Sequence, residues 1–120
     1  MTVPDAYQSL IEDLLTLTRS GKLSWKPGSN KWTFIVSFEK LSVSVADSAD
    51  EVGVEFQVAL INNEGEEIDS FITRRTDRKF GAVQALWEGA KRNALHIDAA
   101  IRELATELDQ MKDEEEIPFE

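Results

Sequence analysis

The single histidine of the chain, His96, is the first candidate for catalytic chemistry, because imidazole is the usual general acid or base near neutral pH. Asp98 follows it at a spacing of two, which on a helix directs the two side chains to different parts of the surface. The sequence contains no glycine-rich phosphate loop, no nucleophile elbow and no metal-binding motif of the HExxH or EF-hand kind. We therefore expect no catalytic residue, no metal and no cofactor, and we interpret the protein as a non-enzyme.

A group of cations is the second candidate for chemistry. Arg74, Arg75, Arg78 and Lys79, here called the basic cluster, lie close together in a chain whose net charge is -10. They lie at the start of a predicted helix, where each cation interacts unfavourably with the helix dipole by about 0.3 to 1 kcal/mol. Two interpretations stay open: the cluster binds an anion or an acidic partner together with helix N–H groups, or it pairs with the protein's own carboxylates, including Asp77 or those of the C-terminal tail.

The C-terminal tail is the third candidate: an acidic run is followed by Ile-Pro-Phe and a final glutamate. It reads Asp113-Glu114-Glu115-Glu116-Ile117-Pro118-Phe119-Glu120. This tail is similar to that of bacterial single-stranded DNA-binding proteins, which recruits partner enzymes through its last apolar residues beside flexible acidic ones. The resemblance implies a partner-docking tail formed by Glu116, Ile117, Pro118 and Phe119. It departs from that family because Glu120 follows the phenylalanine, and the alternative is a flexible, solubilising end.

Composition limits the kind of protein that can carry these residues. A chain of 120 residues with 42% hydrophobic content suits one domain, which we place at residues 1–112, followed by the acidic tail at 113–120. The absence of cysteine and of a secretory signal favours a cytoplasmic location. The net charge of -10 disfavours direct nucleic acid binding and anionic membranes, and favours a basic protein partner.

The hydrophobic pattern predicts an α+β fold in two layers: an N-terminal helix, a five-stranded antiparallel meander and a long C-terminal amphipathic helix. Residues 5–20 form the first helix, with Asp5 as its cap and Gly21 just beyond its end. Alternating apolar residues predict five strands: a short one that begins with Leu23 and Trp25 and is closed by the turn at 27–30, and four more at 32–38, 41–45, 54–60 and 66–73. Helices then cover only the apolar face of the sheet.

The long helix is predicted over residues 78–111, and its apolar residues recur at spacings of three and four. They are Phe80, Val83, Trp87, Ala90, Ala94, Ile97, Ile101, Leu104, Leu108 and Met111. A straight helix of this length measures roughly 50 Å, whereas a compact chain of this size has a radius of gyration of about 13 to 14 Å. The helix therefore overhangs its own domain, or it bends.

Three segments carry a second resemblance. Gly21-Lys22-Leu23-Ser24-Trp25, the hairpin Asn63-Glu64-Gly65-Glu66, and Leu86-Trp87-Glu88-Gly89-Ala90-Lys91-Arg92-Asn93-Ala94-Leu95 followed by Ile97-Asp98 resemble a loose group of small, functionally uncharacterised bacterial proteins. The resemblance implies a helix-meander-helix fold and brings no activity. In such relatives a glycine or asparagine often stands at the position of His96, which indicates a break or kink near 95–96.

The core and the interface follow from the same pattern. We expect the junction of sheet and long helix to contain Trp32, Phe34, Phe56, Val58, Phe80 and Trp87. The overhanging residues Ile97, Ile101, Leu104, Leu108 and Met111 need cover, either from a second copy in a homodimer or from the first helix after a kink. In an antiparallel dimer of straight helices, the tail of one copy meets the basic cluster of the other.

Three functions remain after this comparison of patterns. The leading one is a small acidic interaction protein, a regulator or inhibitor that acts through protein–protein contacts. The runner-up is an accessory protein of DNA metabolism that docks on a replication or repair enzyme through its tail. A ligand-binding domain that uses the basic cluster comes third.

Overall fold

The computed structural model describes residues 3–47 and 55–116. The elements follow one another in the order α1 (Asp5–Arg19), β1 (Lys26–Pro27), β2 (Thr33–Ser37), β3 (Leu41–Asp47), β4 (Glu55–Asn62), β5 (Glu67–Arg74), α2 (Phe80–Ala94) and α3 (Ile97–Glu116). This order confirms the predicted α+β fold, with the C-terminal seam divided between two helices.

The sheet is a meander, because its spatial order β1-β2-β3-β4-β5 repeats the order in the chain and every neighbouring pair is antiparallel. Its register aligns one buried residue from each of four strands in a single row across the inner face. This row is Phe34, Val45, Val58 and Phe71. Apolar residues at every second position thus meet their counterparts on the neighbouring strand, which fixes the register.

The first strand differs from the prediction, since it consists of Lys26 and Pro27, whereas the prediction began the strand at Leu23 and placed Pro27 in the following turn. The reason is a contact from a distant helix: the Trp25 backbone N–H donates to Asn93 Oδ1 at 2.7 Å. The indole Nε1 of Trp25 donates to Thr18 Oγ1 at 2.9 Å, and the ring is buried. Trp25 therefore fastens the end of α1 to α2 and does not pair in the sheet.

The core lies between the inner face of the sheet and the helices α1 and α2. Trp87 is at its centre, with ring centroids 5.9 Å from Phe34, 5.6 Å from Phe56 and 6.4 Å from Trp32. Its Nε1 also donates to the Trp32 carbonyl oxygen at 3.0 Å. Of the six predicted core residues, five are buried and Trp32 is half-buried. The core prediction is therefore confirmed in all but the depth of Trp32.

The first helix is held against both the sheet and α2. The Tyr7 ring packs against Phe71 in a tilted arrangement, with centroids 4.7 Å apart and planes at 55°, and the Tyr7 hydroxyl donates to Asp69 Oδ2 at 2.7 Å. A Cβ placed on Gly89 of α2 would lie 3.1 Å from Thr18 Cγ2, so the glycine permits the close approach of the two helices. The helix begins at Asp5, but Pro4 is its N-cap and no side chain caps it, contrary to the predicted capping role of Asp5.

The seam of the long helix is interrupted at the predicted place. Helix α2 ends at Ala94, and His96 has a left-handed φ of +53° before α3 begins. The break does not fold α3 onto α1, because residues 98–112 are all exposed. The molecule measures 66 × 34 × 24 Å and has a radius of gyration of 18.4 Å. A continuous straight helix is therefore wrong, and α3 projects from the body.

Candidate interaction site

The projecting helix carries an uncovered row of large apolar side chains. Ile101, Leu104, Leu108 and Met111, here called the α3 stripe, are each between 48% and 56% exposed. Their spacings of three and four place them on one face of the helix. Ile97, the first of the predicted interface residues, is half-buried where α3 leaves the body. The structure thus places all five predicted interface residues along one line, and the outer four lie in solvent.

Charge is distributed unevenly along the two C-terminal helices. Residues 91–102, here called the α3 base, carry three cations and one carboxylate, a formal charge of +2. Residues 103–116, here called the α3 tip, carry seven carboxylates and one lysine, a formal charge of -6. The acidic residues are therefore concentrated at the C-terminal end of α3, where the helix dipole favours cations.

A cationic cleft lies at the α3 base, where the ends of α1 and α2 meet the start of α3. It has a volume of about 430 Å³, and its lining includes Arg19, Arg92 and Arg102 together with His96. Arg92 is engaged by Asp98 in an ion pair exposed to solvent. Sequence reasoning missed this grouping because the arginines come from three different helices. The one sequence signal for the cleft was the excess of cations in residues 91–102 over residues 103–116.

His96 and Asp98 are directed to different partners. Asp98 is directed to Arg92, whereas His96 is exposed and uses its backbone N–H to close the last turn of α2, donating to the Asn93 carbonyl at 3.3 Å. Within residues 3–47 and 55–116, no group of three histidine or acidic side chains is placed to hold a metal ion. Over the same ranges, no helix combines the length and hydropathy that crossing a membrane requires.

The basic cluster extends from the last residue of β5 to the residue before α2, and two of its four cations pair with the protein's own carboxylates. Arg74 Nε contacts Glu55 Oε2 at 2.6 Å, and Lys79 Nζ lies 3.6 Å from Glu12 Oε2. Arg75 and Arg78 are exposed and make no ion pair with any residue in the described ranges.

The turn itself is also fastened by a carboxylate, since Asp77 Oδ2 accepts from the Arg74 backbone N–H at 2.9 Å. Self-pairing thus accounts for Arg74 and Lys79. Anion binding by the remaining arginines, Arg75 and Arg78, stays a prediction.

The predicted docking tail falls almost entirely outside the described residues. Glu116 is the last residue of α3, and Ile117, Pro118 and Phe119 lie beyond it. The domain boundary predicted at residue 113 falls within α3, and the flexibility of residues 113–120 stays a prediction. The tail as a docking peptide also remains a hypothesis.

The segments that carried the resemblance to small bacterial proteins have structural roles here. Gly21 takes a left-handed φ of +76° after α1, and Gly65 one of +83° in the hairpin turn. Trp25, Trp87 and Asn93 form the contacts that join the loop, the sheet and α2. No family model, no curated protein and no solved structure matches this chain.

Proposed function

We propose that the protein is a non-enzymatic interaction protein whose binding element is α3. The observation that carries this proposal is the α3 stripe, four large apolar side chains about half exposed on a helix that leaves the body. The core is complete without them, since α1, α2 and the sheet already enclose Phe34, Phe56 and Trp87. Folding of the body therefore does not require the α3 stripe to be covered. Contact with a partner is the role that we assign to it.

The shape of the stripe indicates what kind of partner it accepts. The side chains of an isolated helix form a narrow convex ridge. Such a ridge packs well into the groove between side-chain rows on another amphipathic helix. If each residue exposes about 100 Å², the stripe offers roughly 400 Å² of apolar surface, within the range of functional patches on soluble proteins. The partner is therefore an amphipathic helix with apolar residues at the same spacing.

The charge of the protein suits a regulator or inhibitor. With a net charge of -10, it attracts basic surfaces at long range and repels nucleic acids. We infer that a complex formed through α3 acts on a basic protein surface in the cytoplasm. The acidic α3 tip, which stands away from the body, then supplies a concentrated negative charge to that surface.

The experiment is to place carboxylates in the stripe and to measure complex formation. The variant carries Leu104→Asp and Leu108→Asp; the matched control carries Thr106→Asp and Gln110→Asp, which lie on the opposite face of the same helix. Sedimentation velocity of the purified proteins measures self-association. Retention on the tagged full-length chain, washed at increasing salt, measures binding of other proteins. We expect the stripe variant to lose complexes that the control retains; equal behaviour of the two variants would contradict the proposal.

A second candidate function is an accessory protein of DNA metabolism that docks through its Ile-Pro-Phe tail. The position of Glu116 favours it, because α3 carries the end of the described chain roughly 30 Å from the body. Truncation after Glu116 tests this function separately. Loss of a retained replication or repair enzyme on truncation, with α3-dependent assembly unchanged, supports tail docking. Retention of that enzyme by the truncated chain excludes it.

A further inference from the structure

The cationic cleft at the α3 base brings together three arginines from three helices. We propose that it binds the phosphate group of a small organic phosphate, held between Arg19 of α1, Arg92 of α2 and Arg102 of α3. The spacing of Asp98, Ala99 and Arg102 places the cleft-lining side of α3 away from the face that carries the α3 stripe. This inference therefore goes beyond the proposed function and does not depend on it.

Two of the three arginines have no anionic partner. Arg19 and Arg102 are exposed, and their guanidinium groups form no ion pair with any residue in the described ranges. Arg92 donates to Asp98, which is the one carboxylate of the lining, and a guanidinium has further N–H donors to offer. Three cations and one carboxylate give the lining a formal charge of +2, in a protein whose net charge is -10.

The helix dipoles account for two of these cations and not for the third. Arg19 is the last residue of α1, and Arg92 lies in the last turn of α2, where the dipole of each helix favours a cation. Arg102 follows the first turn of α3 and lies nearer the end of that helix that favours anions. Its own helix therefore gives Arg102 no advantage at this place, whereas an anion bound between the three arginines gives it a partner.

The other polar groups of the cleft are mainly donors. The backbone N–H groups of Ile97, Asp98 and Ala99, in the first turn of α3, have no hydrogen-bond acceptor in the part of the chain that the structure describes. Asn93 Oδ1 accepts from the Trp25 backbone N–H at 2.7 Å, which fixes the orientation of the amide and leaves its Nδ2 donors without an acceptor among the described residues. A cleft rich in donors matches a ligand rich in acceptor oxygens.

Phosphate is the oxyanion that suits this arrangement. Its tetrahedral oxygens can accept from guanidinium groups that approach from three helices, whereas a planar carboxylate is matched by a single arginine. The N-terminus of a helix favours the same charge. The cleft volume of about 430 Å³ lies within the range of small-molecule sites, roughly 300 to 1,000 Å³. The small residues Gly89 and Ala99 line part of this space, which leaves room for an organic group beside the phosphate.

The test is isothermal titration calorimetry of the full-length chain in a phosphate-free buffer at constant ionic strength. The probes are glycerol phosphate, inorganic phosphate and glycerol, which separate the contribution of the phosphate group from that of the organic group. We expect glycerol phosphate to bind, inorganic phosphate to bind more weakly, and glycerol not to bind.

Three variants locate the site, and a fourth is the control. Arg19→Gln and Arg102→Gln should each weaken binding of glycerol phosphate by about tenfold, because each removes a charge-assisted hydrogen bond. Asp98→Asn removes the carboxylate of the lining and releases Arg92, so it should tighten binding by about two- to fivefold. Arg75→Gln makes an equal change of charge at an exposed arginine of the basic cluster and should leave binding unchanged.

The other outcomes overturn the proposal. Absence of binding at millimolar glycerol phosphate would exclude the site, and equal binding of inorganic phosphate would exclude an organic ligand. Equal weakening by Arg75→Gln and Arg102→Gln would indicate attraction to net charge, and weakening by Arg75→Gln alone would place the anion at the basic cluster. The variant with Leu104→Asp and Leu108→Asp should bind glycerol phosphate normally, so failure of this proposal leaves the proposed function standing.

Discussion

Truncation of Trp87 is the most direct test of how the body is held together. The change Trp87→Ala removes a buried indole that contacts three aromatic rings, those of Trp32, Phe34 and Phe56. Truncation of a core tryptophan costs about 3 to 5 kcal/mol, and each lost aromatic pair contributes about 0.5 to 1.5 kcal/mol beyond its buried area. The Trp32 carbonyl also loses its donor at 3.0 Å. We therefore expect a value near the upper end, about 4 to 5 kcal/mol.

A loss of that size is a large fraction of the roughly 5 to 15 kcal/mol that stabilises a typical domain. Urea unfolding followed by far-ultraviolet circular dichroism measures it without relying on tryptophan fluorescence, which the mutation itself changes. Trp87→Phe is the matched control: it keeps an aromatic ring in the core and loses the indole N–H, and should cost about 1 to 2 kcal/mol. A loss below about 1 kcal/mol for Trp87→Ala would refute the assignment of Trp87 to the centre of the core.

Three further substitutions test individual contacts by the same unfolding measurement. Thr73 is fully buried and its hydroxyl has no hydrogen-bond partner within the described ranges, so Thr73→Val should stabilise the protein by about 1 kcal/mol; destabilisation would indicate that the hydroxyl is bonded. Burial, together with the hydrogen bond to Asp69, raises the pKa of Tyr7 to about 12 from 10.0, so its contribution to stability is fully present below pH 10 and is lost as the pH rises towards 12. Tyr7→Phe should remove that decline, and an unchanged profile would contradict the assignment. His96→Gly relieves a left-handed φ of +53° and should stabilise the protein by about 0.5 to 1 kcal/mol; a loss of stability would contradict this explanation.

The regular elements could be predicted because each buries one face. Alternation in Phe34 and Val36, or in Val43 and Val45, reflects the single covered side of the sheet, and the three-and-four spacing of α2 reflects its contact with that side. The break after Ala94 was indicated by the resemblance to proteins with glycine or asparagine at the position of His96 and by Leu95, which lies off the seam; in the structure Leu95 is 47% exposed. These features depend on short segments of the chain, so the spacing of apolar residues within each segment predicts them.

Features that depend on distant residues could not be predicted. The displacement of β1 follows from the bond between Trp25 and Asn93, residues 68 positions apart in the chain. The cationic cleft requires Arg19 to meet Arg92 and Arg102, which the order of elements alone does not determine. The direction of α3 after the break depends on the backbone at His96, so the choice between a projecting and a folded-back helix was undecided by sequence.

The projecting helix also governs how the protein behaves in experiments that measure size. A radius of gyration of 18.4 Å is what a compact chain of about 270 residues would have, more than twice the 120 residues present. On a size-exclusion column the elongated monomer will therefore elute near the position of a globular dimer. Oligomeric state must therefore be assigned from mass, by sedimentation equilibrium or light scattering. Elution volume depends on hydrodynamic size, which the projecting helix increases without any second subunit.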